Sequence, residues 1–312
     1  MSDLPIRHRT CETPYTRTRA HTLGRLLGGG LLVLAALLVA GTLLGPVGFA
    51  AIQYPIPRHG SLMSQLVALD VFSVAVVAPV AACGAVLVLR RHPLGGVLAL
   101  APGVYTAYMV PQYVLGPQYV RYDGNSEAFF PLQLALFVLG WTTALLAWQQ
   151  IDPATWTPPG RRERITGGVL VPLLAIVTFT RYVPAILDAA GAHPSATDYL
   201  EGPGYFWTIA LLDLGVGLPA AIAAIAGMRH GSPWARKVAL GLSGWLTLVG
   251  PAVAAMAISA WLRDVPDASA GQAAAVTVLG LLFAALGLTL LTAVWPAAPR
   301  ARQAASAEIR AV

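Results

Sequence analysis

Long apolar segments alternate with short polar segments along almost the whole chain. Each apolar segment is long enough to cross about 30 Å of hydrocarbon as an α-helix that rises 1.5 Å per residue. The pattern predicts eight spans, at approximately 26–50, 65–89, 94–115, 129–149, 166–188, 205–228, 238–262 and 272–295. The third is the least regular because it contains two prolines and several polar residues, so we expect it to be kinked or to line a cavity. The predicted fold class is an all-α integral membrane protein with eight transmembrane helices.

Basic residues fall almost entirely on one side of these predicted spans. If the N-terminus is cytoplasmic, the inner segments hold sixteen arginines and lysines, and the outer segments hold only Arg58, Arg121 and Arg263. Cytoplasmic loops of membrane proteins carry such an excess of basic residues. We therefore predict that both termini are cytoplasmic. Adding or removing one span would destroy the alternation, so the bias also supports the count of eight.

The predicted spans divide the chain into two similar halves. Asp70 and Asp213, each preceded by leucine, begin the second and sixth spans, and Pro79 and Pro219 follow further in. Both spans end in a basic turn with histidine and proline. Four spans per half insert both halves in the same direction, which predicts a parallel 4+4 pseudo-repeat about an axis along the membrane normal.

The resulting domain prediction has five parts. They are a disordered basic tail (1–21), a first four-helix half (22–149), a cytoplasmic connector (150–164), a second four-helix half (165–296) and a cytoplasmic tail (297–312).

Composition agrees with a membrane protein and excludes a large soluble one. The chain is 56% hydrophobic and 11% charged, with a mean hydropathy of +0.66, whereas soluble domains carry about 25% charged residues. The net charge of +6 is explained by the inner arginines, which favour anionic lipid over nucleic acid as the partner. Lysine is almost absent, and alanine, glycine, leucine, valine and arginine dominate, which is typical of a high-GC bacterial genome. We therefore expect a bacterial inner (cytoplasmic) membrane location.

Three ionisable residues lie inside the predicted spans: Asp70, Arg181 and Asp213. A charged side chain at membrane depth costs roughly 2.5–3.5 kcal/mol on insertion scales, so it needs a partner, a wet cavity or a proton. Counting along the helices puts all three within roughly a dozen ångströms of the outer boundary. Four further polar side chains of the third and fourth spans complete a predicted outward polar pocket: Tyr105, Tyr108, Gln112 and Gln133.

Three interpretations of this pocket remain open. Arg181 pairs with Asp213 or Asp70 and only holds helices together, or the pocket binds a small molecule or ion, or Asp213 titrates in a transport cycle. The leading functional hypothesis is small-solute, ion or lipid handling, which would make the protein a transporter. The alternative is a non-catalytic membrane scaffold or partner subunit whose buried charges only pack helices.

Motifs of the common enzyme classes are absent from the sequence. It contains no glycine-rich phosphate loop, no His-Glu-x-x-His helix and no Gly-x-Ser-x-Gly elbow. Its two cysteines, Cys11 and Cys83, are expected to stay unpaired, and no cysteine–histidine cluster has metal-ligand spacing. We therefore predict no catalytic residues, no metal site and no cofactor.

Four short patches stand out in the second half, at Phe206-Trp207, Leu212–Gly215, Pro233–Lys237 and Pro266–Ser269. In these patches the chain, over roughly residues 205–295, resembles uncharacterised multi-pass membrane proteins of high-GC Gram-positive (actinobacterial) type. The resemblance implies a membrane protein and carries no activity or functional residue.

Overall fold

Long helices make up most of the described chain. The structure is a computed structural model that describes residues 14–57, 60–151, 160–195, 197–200, 202–266 and 268–293. The long helices are α1 (Pro14–Leu44), α2 (Ser61–Leu89), α3 (Gly95–Leu115), α4 (Phe130–Gln150), α5 (Arg161–Ala189), α6 (Pro203–Arg229), α7 (Pro233–Leu262) and α8 (Ala270–Ala293). Short helical turns occur at Ser126–Phe129 and Thr197–Leu200, and these described residues contain no β-strand.

Seven of the long helices, all except α3, are long and apolar enough to cross a membrane. They leave large apolar side chains on the outside of the bundle, such as Leu187, Leu211 and Val278, which are 68%, 70% and 68% exposed. Exposing these side chains to water would be unfavourable, whereas exposing them to hydrocarbon is not. A helix also satisfies its own backbone hydrogen bonds in lipid. The protein is therefore an all-α membrane protein.

Helix α3 differs from the other seven because protein surrounds it. It packs against α2, α4, α7 and the first part of α6, and it continues through Pro102 and Pro111 without a break. Close packing against α4 depends on Gly103 and Gly140: a methyl group on either would come within 2.9 Å of a backbone nitrogen of the other helix. The polar residues that weaken the third predicted span thus face protein.

The two halves have the same order of neighbours. In the first half, α1 packs on α2 and α4, and α3 packs on the same two helices. In the second half, α5 packs on α6 and α8, and α7 packs on those two. The halves meet where α3 contacts α7, where the first part of α2 contacts α7, and where the first part of α6 contacts α3.

Helices α2 and α6 also share an interruption. Each contains a five-residue π-helical segment, Ser73–Val77 and Asp213–Gly217, that ends two residues before a proline. Proline has no N–H to donate, and such widened turns absorb the missing hydrogen bond. In this register Asp213 corresponds to Ser73. The sequence match had aligned Asp213 with Asp70, so Asp70 lies almost one turn nearer to the start of its helix than that match implied.

Some boundaries differ from the domain prediction. Helix α1 begins at Pro14, so residues 14–21 are helical where a disordered tail was expected, and residues 1–13 lie outside the described residues. Helix α5 begins at Arg161, so residues 161–164 belong to a helix and not to the connector. Residues 152–159 and the predicted C-terminal tail, 297–312, also lie outside the described residues.

The loops that follow α1, α3, α5 and α7 lie at one end of the bundle, which we call the outer end. Two of these loops are joined by two backbone–backbone hydrogen bonds and one from backbone to side chain. The Gln53 N–H donates to Asn125 Oδ1 at 2.7 Å, the Asn125 N–H donates to Gln53 O at 2.9 Å, and the Gln118 N–H donates to Pro55 O at 2.8 Å. This pairing fixes the α1–α2 loop against the α3–α4 loop at that end of the bundle.

Candidate functional site

The two aspartates of the predicted pocket lie in separate clusters. In the first, which we call the Asp213 cluster, Tyr108 of α3 donates its hydroxyl to Asp213 Oδ1 at 2.6 Å, and Tyr182 of α5 donates to Oδ2 at 2.7 Å. The Tyr108 ring is held edge-on against Trp245 of α7, with centroids 5.1 Å apart. Both oxygens of this carboxylate are therefore hydrogen-bonded, and side chains from four helices meet around it.

The Asp213 cluster lies at the π-helical segment of α6. Asp213 is the first residue of that segment, which continues through two glycines, Gly215 and Gly217. A π-helical turn is wider than an α-helical turn and changes the direction of the side chains that follow it, and such turns are frequent at functional sites. The local geometry that presents Asp213 is thus set by Pro219 further along the helix.

The second cluster, which we call the Asp70 cluster, contains Asp70, Tyr113 and Tyr54. Asp70 is 6% exposed. The Tyr113 hydroxyl donates to Asp70 Oδ1 over a long 3.3 Å, and the Tyr113 ring packs against the Tyr54 ring in a tilted arrangement, with centroids 5.7 Å apart and an interplanar angle of 55°. Asp70 Oδ2 is buried and has no hydrogen-bond partner. Burial and the nearby Asp70 carboxylate raise the pKa of Tyr54, a loop residue, far above its ordinary value of 10.0.

Arg181 lies at the edge of the Asp213 cluster and pairs with neither aspartate. Its side chain is exposed, its guanidinium carbon lies 5.3 Å from the centroid of the neighbouring Tyr182 ring, and it forms no ion pair with Asp70 or Asp213. Consecutive residues of an α-helix point about 100° apart. Tyr182 faces the bundle, where it is fully buried, whereas Arg181 lies on the exposed face, close enough to interact electrostatically with Asp213 but without an ion pair. The ion pair considered from the sequence is not formed.

The remaining predicted pocket residues are buried and do not hydrogen-bond to either aspartate. Gln112 donates to the Met109 sulfur at 3.2 Å. Tyr105 packs against the Phe72 ring, with centroids 6.1 Å apart. Gln133 is 6% exposed, and its Nε2 atom has no hydrogen-bond partner. Sequence reasoning missed Tyr54, Tyr113 and Tyr182, although two of them immediately follow predicted residues.

A cavity of about 730 Å³ lies at the outer end beside the Asp70 cluster. The α1–α2 loop, the start of α2, the α3–α4 loop and the α7–α8 loop line this open cavity, and it contains charges of both signs. Its polar and charged lining includes Tyr54, Ser64, Asp123, Arg263 and Asp264. Tyr54 thus belongs both to the cavity wall and to the cluster around the buried carboxylate.

The α5–α6 loop is anchored by Asp188 at the end of α5. Asp188 accepts hydrogen bonds from the Ser195 N–H at 3.0 Å, the Ser195 hydroxyl at 3.1 Å and the Tyr199 hydroxyl at 2.7 Å. Burial and the hydrogen bond to this carboxylate raise the pKa of Tyr199 to about 12. Asp188 therefore orders an outer loop.

The described residues contain no group of three or more histidine, cysteine or acidic side chains able to hold a metal ion. Cys83 is a free, exposed cysteine, and Cys11 lies outside the described residues. Comparison of the chain with protein-family models, with curated proteins and with solved structures found no match.

Proposed function

We propose that this protein handles a small polar solute or ion through a site that opens at the outer end of the bundle. One observation carries the proposal. The buried carboxylate of Asp70 keeps one oxygen without a hydrogen-bond partner, and Tyr113 and Tyr54 link it to a large outer cavity. An intramembrane carboxylate that lacks a cationic partner is a candidate functional residue by default, because its burial costs free energy that packing alone does not offset.

The contrast between the two aspartates supports this assignment. Two short hydrogen bonds satisfy Asp213, so it serves the packing of α3, α5 and α6. Asp70 receives one long hydrogen bond on one oxygen. A group needed only for packing would have its acceptors filled, so Asp70 is the better candidate for contact with a ligand.

The size and charges of the cavity suit a small polar or zwitterionic solute. Ligand pockets generally measure roughly 300–1,000 Å³, and this cavity measures about 730 Å³. Arg263 provides a positive group, and Asp123 and Asp264 provide negative groups around it. Such a lining can bind a carboxylate and an amine of the same molecule.

The functional proposal includes a topology. It assigns eight spans with α3 as an interior span, both termini in the cytoplasm of a bacterial cell and a parallel 4+4 arrangement, in line with the actinobacterial resemblance. The shared neighbour order and the shared π-helical segments of α2 and α6 support the pseudo-repeat. Single cysteines at Asp264 and Gly231, in a background without native cysteines, test the orientation. A membrane-impermeant thiol reagent should label only Asp264→Cys in intact cells, and the opposite pattern would invert the topology.

A solute screen on the purified protein tests the function. We expect one class among amino acids, amines, sugars and organic acids to raise the melting temperature (Tm) of the wild type. The rise should disappear in Arg263→Gln, whose side chain lines the cavity, and persist in Arg121→Gln. Arg121 is a matched control because it is an exposed arginine of another outer loop that does not line the cavity.

A solute found in this way should then be taken up or exchanged by proteoliposomes. If no class shifts Tm, or if both arginine variants lose the shift equally, the cavity is not a solute site. If a second protein co-purifies in a fixed stoichiometry and covers the cavity, the solute proposal is wrong and the scaffold role is supported.

A further inference from the structure

The C-terminal end of α1 meets the buried oxygen of Asp70. The Thr42 hydroxyl donates to the backbone carbonyl of Asp70 at 3.0 Å, which fixes α1 against α2. A methyl group placed on Gly45 would lie 2.9 Å from Asp70 Oδ2, 3.1 Å from Gly41 O and 3.5 Å from Thr42 O. Three oxygen atoms, one of them a carboxylate oxygen, therefore converge on one small region.

All three of these oxygens are hydrogen-bond acceptors. The two carbonyl oxygens accept the Gly45 N–H, at 2.9 Å for Gly41 and 3.2 Å for Thr42, and each keeps a second lone pair, whereas Asp70 Oδ2 accepts no hydrogen bond. The C-terminal end of a helix carries a partial negative charge from its last carbonyl groups, so a carboxylate placed there is repelled. The hydroxyl of Thr42 does not relieve the repulsion, because it donates to a backbone oxygen. Among the described residues, no arginine, lysine or histidine forms an ion pair with Asp70, and Oδ2 accepts no hydrogen bond.

We propose that a monovalent metal cation, with the coordination chemistry of Na⁺, binds between Asp70 Oδ2 and the carbonyl oxygens at the end of α1. Hard cations prefer oxygen ligands, and helix C-terminal ends and carboxylates coordinate Na⁺ at the centre of membrane bundles. A single carboxylate balances one positive charge. A Ca²⁺ site generally gathers six to eight oxygens, including several carboxylates, and the described residues around Asp70 offer only this one.

This inference rests on the proposed function and refines it. A cation reaching Asp70 from the outer cavity would pass Tyr54 and the charged rim, so its binding and the binding of a solute in the cavity would be coupled. Coupling of this kind requires that each ligand raise the affinity for the other by the same factor.

Cation-dependent stability tests the inference without a known solute. The Tm of the purified protein should rise saturably as NaCl replaces choline chloride or KCl at constant ionic strength. At roughly 100-fold excess over its Kd, a ligand of this kind raises Tm by several degrees. Asp70→Asn should abolish the Na⁺-dependent rise. Asp213→Asn is the matched control and should retain it, because that carboxylate lies in the other cluster with both oxygens occupied.

A second variant keeps the inference testable if Asp70→Asn does not fold. Gly45→Ala places a methyl group against Asp70 Oδ2. The Na⁺ concentration that gives half of the maximal rise in Tm should therefore increase at least tenfold. Equal Tm values in NaCl, KCl and choline chloride for the wild type would overturn the inference, as would a Na⁺ response that survives in Asp70→Asn. Either result leaves the solute screen unaffected, since that screen depends on Arg263, so the two proposals can fail separately.

Discussion

Replacing Tyr182 with phenylalanine removes one of the two hydroxyl groups that donate to Asp213 and leaves the rest of the side chain in place. The Tyr182 ring packs edge-on against Phe206, with centroids 5.5 Å apart, and this contact survives the substitution. The lost hydrogen bond is short, at 2.7 Å, and joins the fully buried Tyr182 side chain to a partly buried carboxylate. The change in stability therefore reports on the hydroxyl–carboxylate bond itself.

The size of that change depends on the charge of Asp213. A hydrogen bond to a charged group contributes about 1.5–3 kcal/mol, whereas hydrogen bonds between membrane helices average about 0.6 kcal/mol, with a maximum of about 1.7. A loss of about 2 kcal/mol in Tyr182→Phe would indicate an ionised carboxylate. A loss of about 0.6 kcal/mol would indicate a protonated one, because neutral partners bind more weakly.

The assay is equilibrium unfolding in mixed micelles of the wild type, Tyr182→Phe, Asp213→Asn and the double variant. A double-mutant cycle isolates the interaction between the two side chains. Tyr119→Phe, a change at an exposed tyrosine of the α3–α4 loop, is the control and should leave stability unchanged. A coupling energy near zero, or a Tyr182→Phe effect no larger than that of Tyr119→Phe, would refute the hydrogen bond.

Two further predictions concern packing and the outer loops. Gly280→Ala should lower stability by about 1–3 kcal/mol because its methyl group would overlap the Gly250 carbonyl of α7; Gly271→Ala on the same helix meets nothing within 4 Å and should be neutral or slightly stabilising in the same unfolding assay. Asp188→Ala should speed proteolysis of the α5–α6 loop. The hydrogen bond from Tyr199 should stabilise the wild-type fold fully below pH 10.0, the ordinary pKa of tyrosine. This stabilisation should disappear as the pH rises through about 12 in the same unfolding assay, because the folded state holds the phenol protonated.

The class and the approximate limits of the helices could be predicted because hydropathy is a local property. The second and sixth spans, predicted at 65–89 and 205–228, are observed at Ser61–Leu89 and Pro203–Arg229. The weakness of the third span was also visible in the sequence. Its cause, a position in the interior of the bundle, was not, because a run of residues does not reveal which neighbours will cover it.

The positions of the aspartates within membrane helices, together with Tyr108, could likewise be read from the sequence. Their partners could not. Electrostatics favoured Arg181 as the partner of Asp213, yet Tyr182 occupies that place, because packing rotates α5 so that the tyrosine faces inward. The rotation of a helix about its axis depends on the shapes of several neighbours together, and it moves adjacent residues to different faces.

The Asp70 cluster depends even more on tertiary structure. Its parts are Asp70 in α2, Tyr113 in α3, the loop residue Tyr54 and the carbonyl end of α1, which belong to different elements of the chain. Local pattern predicts that each helix forms, because an apolar segment in lipid must satisfy its own backbone. Only the packed bundle brings three such segments and the α1–α2 loop together and leaves one carboxylate oxygen among acceptors, since that arrangement arises from contacts that no single segment contains.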